Sequence, residues 1–344
     1  MNTLTKNCSP FIQLGKMLQQ PEVVRQHFDS ILPLQYQQNP WFTPFFVRRA
    51  IENIADALDE KNILAFVDQY QDEPLHFNQG KKIAVIPADN TPLDNFFDLF
   101  HILISGNTYI GKLPANDRLL LPAIAQLLIG IEPTWKERIL FAPKHAGFDA
   151  IIADCTDEKT NILQKYFEKY PHIIRNKRSS LAILTGKETD EELRLLAEDI
   201  YLYFGLGNQS VTKLLVPKDY DFVPFLQQIH TESQCIADHN QYLNNLDYQK
   251  AIRLINKLFY MDAGTFLLLE DDGCKAPISV VYYEYYSDIE SIKKQESILK
   301  ESYQNIMAVN GIIQSHRAFG QSNRRRLHDY TNDIDTMQFL GRLS

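Results

Sequence analysis

The sequence predicts an α/β protein built from two parallel-sheet units, and three observations carry that prediction. Between residues 82 and 170, short apolar runs alternate with stretches of helical periodicity. Such alternation implies parallel strands with helices covering both faces of the sheet. A second series of the same kind restarts near Ser179 without a proline- or glycine-rich tether. The chain has 344 residues, 44% of them hydrophobic and 23% charged, which suffices for two cores of ordinary soluble composition.

Residues 1–80 read as mostly helical. Apolar positions recur at helical spacing over 11–18 and 47–58, and Pro40-Trp41-Phe42-Thr43-Pro44 interrupts the pattern between them. Strands are expected at 83–86, 109–113 and 150–153, each followed by a helix, at 93–104, 119–129 and 162–170. In the second series the expected strands are 181–184, 213–216, 265–269 and 278–286, with a helix over 191–204. Val280-Val281-Tyr282-Tyr283 is β-branched and aromatic, as suits a central strand. The boundary falls near 179, giving domains of 1–178, completed by 311–344, and 179–310, with a cleft between them.

Composition excludes some functions. A net charge of -8 offers no basic face for nucleic acid. No apolar run approaches the 18 residues of a membrane span, and the N-terminus lacks an apolar signal core. Cys8, Cys155, Cys235 and Cys274 are scattered without a CxxC pair, as free thiols of a cytoplasmic protein would be. There are only 14 glycines, about 4% against an average of roughly 7%, and dinucleotide sites use glycine where backbone approaches phosphate.

Several segments carry a family likeness. They are IAVIPADNTP at 83–92, GNTYIGKLPAND at 106–117, YPHIIRNKRSSLAILTGKE at 170–188, NNLDY at 244–248, FGQ at 319–321 and FGLGNQSVTK at 204–213. In that order and spacing the chain resembles the bacterial fatty-acyl-CoA reductases, the family of the luminescence fatty-acid reductase subunit, within the aldehyde dehydrogenase superfamily. The resemblance covers nearly the whole chain from Trp41 onward. It implies an aldehyde-dehydrogenase-like fold of two Rossmann-like units, the first cofactor-binding and the second catalytic. NADPH is the implied cofactor.

The resemblance also implies roles for residues. Asn90 matches the oxyanion donor, whose preorganised N–H is worth about 10²–10³ in rate; by spacing alone, an Asn before Thr-Pro more often makes a turn or a helix cap. Lys112 matches a cofactor-contacting lysine, against the plain alternative of an exposed strand-end lysine. Asp154, Cys155 and Thr156 occupy a loop that in relatives cradles phosphate at a helix N-terminus. His172, Arg175 and Glu188 lie in a closely matching segment and are further candidates. The basic clusters 175–178 and 324–326 otherwise read as solvated faces, and His230, Cys235 and His239 lack a fourth partner for zinc.

Asn208 stands where the family places its nucleophilic cysteine. A thiolate attacks an acyl thioester because its pKa lies near neutrality and sulfur is highly nucleophilic. An amide nitrogen, its lone pair delocalised, cannot substitute. Gln209 replaces an arginine, Asp89 a glycine beside the oxyanion residue, and Asp333 another glycine. The chain is therefore expected to be a reductase-like protein without normal turnover. It would act by binding an acyl-CoA or acyl-carrier thioester, or a partner. The alternatives are an active NADPH-dependent reductase giving an aldehyde, with Asn90 polarising the carbonyl, and a structural subunit, as a homo-oligomer or with an active paralogue.

Overall fold

The computed structural model describes residues 3–343 except 78, 88–89, 143–146, 177, 310–311 and 315. Two compact units divide the chain, one of Met1–Lys177 with Arg325–Ser344 and the other of Arg178–Arg324.

The first unit opens with α1 (Thr3–Leu18), α2 (Pro21–Phe28), α3 (Leu32–Gln38), α4 (Pro44–Ala57) and α5 (Glu60–Asp68). Local chemistry explains α4. Thr43 accepts a hydrogen bond from the Phe46 N–H at 3.2 Å, and Pro44 takes the first helical position, where its missing donor costs nothing. Phe46, Val47, Ala50, Ile51 and Ile54 then form its buried stripe. Helix α1 packs tightly on the end of α4: a Cβ at Gly15 would lie 2.8 Å from the Leu58 Cβ.

The sheet of this unit comprises β1 (Lys82–Ile86), β2 (Thr108–Gly111), β3 (Ile139–Phe141), β4 (Ala150–Cys155) and β5 (His172–Asn176). They lie in the order β3-β2-β1-β4-β5, with every pairing parallel. The helices are α6 (Phe96–Ile104), α7 (Leu120–Ile131) and α8 (Asp157–Phe167). The chain winds outward from β1 in both directions, so the switch point lies at the carboxyl ends of β1 and its neighbours, where sheets of this kind hold ligands. Strands β3 and β5 are not apparent from periodicity. One is three residues long, and the other mixes His, Arg and Asn with isoleucine.

The second unit contains β6 (Ser180–Ile183), α9 (Asp190–Tyr201), β7 (Val211–Pro217), α10 (Phe222–Glu232), α11 (Asn240–Ile255), β8 (Met261–Asp262), β9 (Leu267–Glu270), β10 (Val280–Tyr286), α12 (Ile289–Ser302) and β11 (Ile306–Ala308). The order is β11-β6-β7-β10-β9-β8. Strand β10 lies between β7 and β9, as its composition predicts. Pairing is parallel except at the edge, where β8 runs antiparallel to β9. Helix α9 begins at a capping box in which Thr189 and Glu192 satisfy each other's backbone N–H groups. It ends at Tyr201, three residues before the expected 204, because Tyr203 and Phe204 turn left-handed. Last in the chain, α13 (Thr336–Gly341) returns to the first unit.

The Phe319-Gly320-Gln321 motif has a structural account. The Asp199 carboxylate, 1% exposed, accepts hydrogen bonds from the N–H groups of Gly320 at 2.7 Å and Ser322 at 2.9 Å. Burial pushes this carboxyl up to about 6, against the pull of those bonds. Gly320 has φ +78°, a conformation that L side chains rarely adopt. Among the described residues, no helix is long and apolar enough to cross a membrane.

Candidate functional site

At the carboxyl edge of the first sheet, register builds an ion cluster. Asp154 of β4 lies directly opposite Arg175 of β5 in the parallel ladder, which places both side chains on one face. Helix α6 brings Asp98 to the same point. The Arg175 Nε and Nη2 donate to the two Asp154 oxygens at 2.6 and 3.0 Å, and its Nη1 and Nη2 donate to those of Asp98 at 3.0 and 2.6 Å. The side chains of Arg175, Asp98 and Asp154 are 2%, 3% and 12% exposed.

One guanidinium thus serves two carboxylates, and the electrostatics divide accordingly. Burial raises the Asp154 carboxyl to about 6, only partly countered by Arg175. Burial acts on Asp98 too, but the charge and hydrogen bonds of Arg175 outweigh it and hold that carboxyl below its ordinary value. The two carboxylates in turn raise Arg175 against its own desolvation. A planar fork suits such double bidentate pairing in a way an ammonium does not.

This geometry corrects the expected loop at Asp154 and Cys155. Strand β4 runs through both residues, because its ladder with β5 continues to Cys155 opposite Asn176. The carboxylate of Asp154 faces Arg175 and is not thrust into a turn. Arg175 spends four of its five N–H donors on these two carboxylates. The basic cluster at 324–326 is also partly committed: Arg325 lies 4.4 Å over the Phe97 ring and 3.5 Å from Asp94, and Arg326 pairs with Asp329.

Asn90 sits half-buried in a bend beyond β1, and Lys112 is the exposed residue following β2, its N–H donating to the Val85 carbonyl at 3.4 Å. Asp89 lies outside the described residues. Thr156 occupies the N-cap position of α8, exposed and extended, without a side-chain capping bond. A pyrophosphate does not fit this helix end. The first turn already carries Asp157 and Glu158, whose charges occupy the positive end of the dipole, and 148–185 contains no glycine to let backbone close on phosphate. His172 is half-buried at the start of β5, its Nδ1 2.9 Å from the Tyr170 carbonyl. Asp333 stands in a 3₁₀ turn with φ +56°, beside Asn332 at +58°, a conformation in which glycine costs least.

In the second unit the chain leaves α9 through Tyr203 (φ 56°), Phe204 (φ 58°) and Gly205 (φ 69°), three consecutive left-handed residues. For Tyr and Phe this costs on the order of 1–2 kcal/mol each. Packing holds the turn: the Phe204 ring stacks on His239 at 4.3 Å and on Tyr242 at 5.5 Å. The turn carries Asn208 and Gln209, both half-buried. The Oδ1 of Asn208 and the Oε1 of Gln209 are buried with no hydrogen-bond partner among the described residues. Glu188 is engaged locally, accepting from the Thr185 N–H at 2.5 Å, the Thr185 hydroxyl at 2.7 Å and the Gly186 N–H at 3.0 Å.

The thiols do not resemble activated nucleophiles. Burial pushes Cys8 up to about 12 and Cys235 up to about 11. The sulfur of Cys155 faces the Thr160 hydroxyl at 3.4 Å and the Arg175 carbonyl at 3.6 Å, neither of them a base. Cys274 is exposed and hydrogen-bonds the Tyr303 hydroxyl. His239 caps α11, accepting from the Tyr242 N–H at 3.2 Å. Among the described residues, no group of three or more His, Cys, Asp or Glu side chains is placed to hold a metal ion.

Sequence reading missed Asp98 and Asp199. A signal was present for the first: Asp98 is the one acid in Phe-Phe-Asp-Leu-Phe-His-Ile-Leu-Ile, where it had to find a buried partner. Asp199, in a polar stretch of α9, has no such mark.

No protein-family model matches the sequence, and no curated protein matches it. Solved structures do. The fold is similar to that of an indole-3-acetaldehyde dehydrogenase in complex with NAD+, with TM-score 0.63 and 13% identity, covering 90% of this chain and 72% of that one. It is similar to the aldehyde dehydrogenase KauB of Pseudomonas aeruginosa, with TM-score 0.61 and 13% identity, covering 97% and 77%. A proline utilization A protein of Corynebacterium freiburgense matches with TM-score 0.64 and 12% identity, covering 99% of this chain and 41% of its own length. At these identities the likeness establishes the architecture: an aldehyde-dehydrogenase-like fold of Rossmann-type parallel sheets.

Proposed function

We propose that this chain is an acyl-thioester reductase-like protein that binds an acyl-CoA or acyl-carrier thioester without reducing it. In this reading the first unit descends from the cofactor-binding domain and the second from the catalytic domain. The observation that carries the proposal is Asn208, an amide at the position that the family resemblance gives to the attacking thiol. Capture of an acyl group needs a sulfur that gives up its proton, takes the acyl carbon and releases the carrier thiol. An amide does none of these, and loss of a catalytic nucleophile costs on the order of 10⁶ in turnover.

Two observations support the reading. Burial raises the Cys8 and Cys235 thiols, and the two groups facing the Cys155 sulfur are not bases. The helix end at Thr156, with Asp157 and Glu158 in its first turn, is a poor seat for a dinucleotide pyrophosphate, so in this reading thioester binding does not depend on NADPH. Asn90 remains suited to hydrogen-bond a thioester carbonyl, which would serve binding as well as it once served catalysis.

The test is direct. Purified protein incubated with NADPH and a long-chain acyl-CoA should consume no NADPH, while calorimetric titration with the acyl-CoA alone should show saturable binding. Aldehyde formation at one turnover per minute or faster would overturn the loss of chemistry, and an absence of acyl-CoA binding would overturn the retained ligand. Asn208→Cys should gain a mass adduct equal to the acyl group.

A further inference from the structure

Three partnerless polar atoms crowd into the five residues 208–212 of the second unit. The Oδ1 of Asn208, the Oε1 of Gln209 and the Oγ1 of Thr212 are each buried without a hydrogen-bond partner among the described residues. A buried acceptor left without a donor has given up its hydration for nothing in return, and folded proteins hold few such groups. The side chains of Asn208 and Gln209 are only half-buried, so part of each stays at the surface of the turn.

The local backbone is poorly placed to relax towards a partner of its own. Tyr203, Phe204 and Gly205 hold three left-handed conformations before the turn, and the Phe204 ring is stacked on His239 and Tyr242. Behind the turn, Ser210 is buried and β7 begins at Val211 in register with Ser180 of β6. The amides are thus presented on a turn fixed from both sides.

Their polarity decides what can answer them. A carboxamide oxygen only accepts, so its complement is an N–H or O–H group; the Thr212 hydroxyl serves either way and does not set this preference. The reacting group of an acyl thioester has no donor, since its carbonyl oxygen and its sulfur both accept. In acyl-CoA and acyl-carrier thioesters, the donor nearest the sulfur is the amide N–H of the pantetheine arm, two methylene groups away. Resting on the reading of this chain as a thioester binder, we infer that the oxygens of Asn208 and Gln209 accept that N–H. The site then selects its ligand by the arm that carries the acyl group. A cysteine at 208 would offer only a weak sulfur acceptor. The replacement that removes capture therefore installs recognition.

Two ligands that differ at one position test this by calorimetric titration of the full chain. They are S-octanoyl-N-acetylcysteamine and the analogue whose amide N–H is replaced by an ester oxygen. Wild type should bind the amide roughly tenfold or more tightly than the ester, because the ester sets a lone pair against the same acceptors. In a double variant, Asn208→Leu with Gln209→Leu, checked for unchanged circular dichroism, the two should bind within about twofold of each other. Equal affinities in wild type overturn the inference and leave thioester binding standing, as does a preference that the double variant keeps. Binding of octanoyl-CoA with neither analogue places recognition on the nucleotide and overturns it too. A chain that binds none of the three ligands overturns the proposed function itself, and this inference with it.

Discussion

At the edge of the first sheet, Asp98 and Arg175 are buried and Asp154 half-buried, with the two guanidinium forks occupied, whereas the turn at Asn208 in the second unit buries two amide oxygens without a donor among the described residues. Both regions carry polar groups where family resemblance predicts chemistry, yet their states differ. A satisfied cluster is support: its donors and acceptors face each other, and a ligand would have to break bonds to enter. Unsatisfied acceptors retain capacity for an N–H or O–H from outside. Buried charge alone therefore does not identify a site; the hydrogen-bond balance around it does.

The strongest way to break this comparison is to remove the cation. Arg175→Ala leaves two buried carboxylates facing each other, and urea denaturation should show a loss of about 3–5 kcal/mol. A loss below about 1 kcal/mol would mean that the cluster is hydrated and open, more like the Asn208 turn than its opposite.

A second test sharpens the contrast through pH. The folded value of Asp199, raised to about 6, lies above the ordinary 3.8 of an unfolded chain. The folded state therefore binds this proton more tightly. The resulting stabilisation is complete below about pH 4 and disappears as pH rises through about 6. Asp199→Asn should remove roughly 1–3 kcal/mol from the difference in unfolding free energy between pH 4 and pH 7. Buried His101, lowered to about 4, works in the opposite direction, its contribution present above pH 6.5 and lost as pH falls towards 4. Wild type and variant must then be compared in the same buffers; parallel pH profiles would show that Asp199 is not the buried clasp described.

The smallest effect concerns the turn that Asp199 holds. Gly320→Ala must place a Cβ at φ +78° and 2.8 Å from the Leu195 Cδ2. It should cost about 1–2 kcal/mol in thermal unfolding. A neutral result would show that the turn relaxes freely, making its motif a matter of descent and not of packing.

Particular elements show how far the sequence could be read. The strand expected at 83–86, the helix expected over 93–104 (observed from Phe96) and the strand expected over 278–286 (observed from Val280) were legible because each has a strong local period or composition. Strands β3 and β5 were not, since three residues or a polar mixture leave no period to detect. At the candidate site, Asn208 was legible as a departure from a motif. The expected loop at Asp154 was misread, because β4 is prolonged by pairing with β5, a contact outside its own sequence.

By itself, then, the sequence determined the alternation of strands and helices, the two-unit α/β class and the absence of cysteine at position 208. Those are properties of neighbouring residues or of residue identity. Only the tertiary structure decided the strand orders, the antiparallel β8, the left-handed exit at Tyr203 and Phe204, and the meeting of Asp98 with Arg175 across 77 positions. Each of these depends on contacts distant along the chain, whose energies decide between locally equivalent arrangements and leave no periodic trace in the residues that make them.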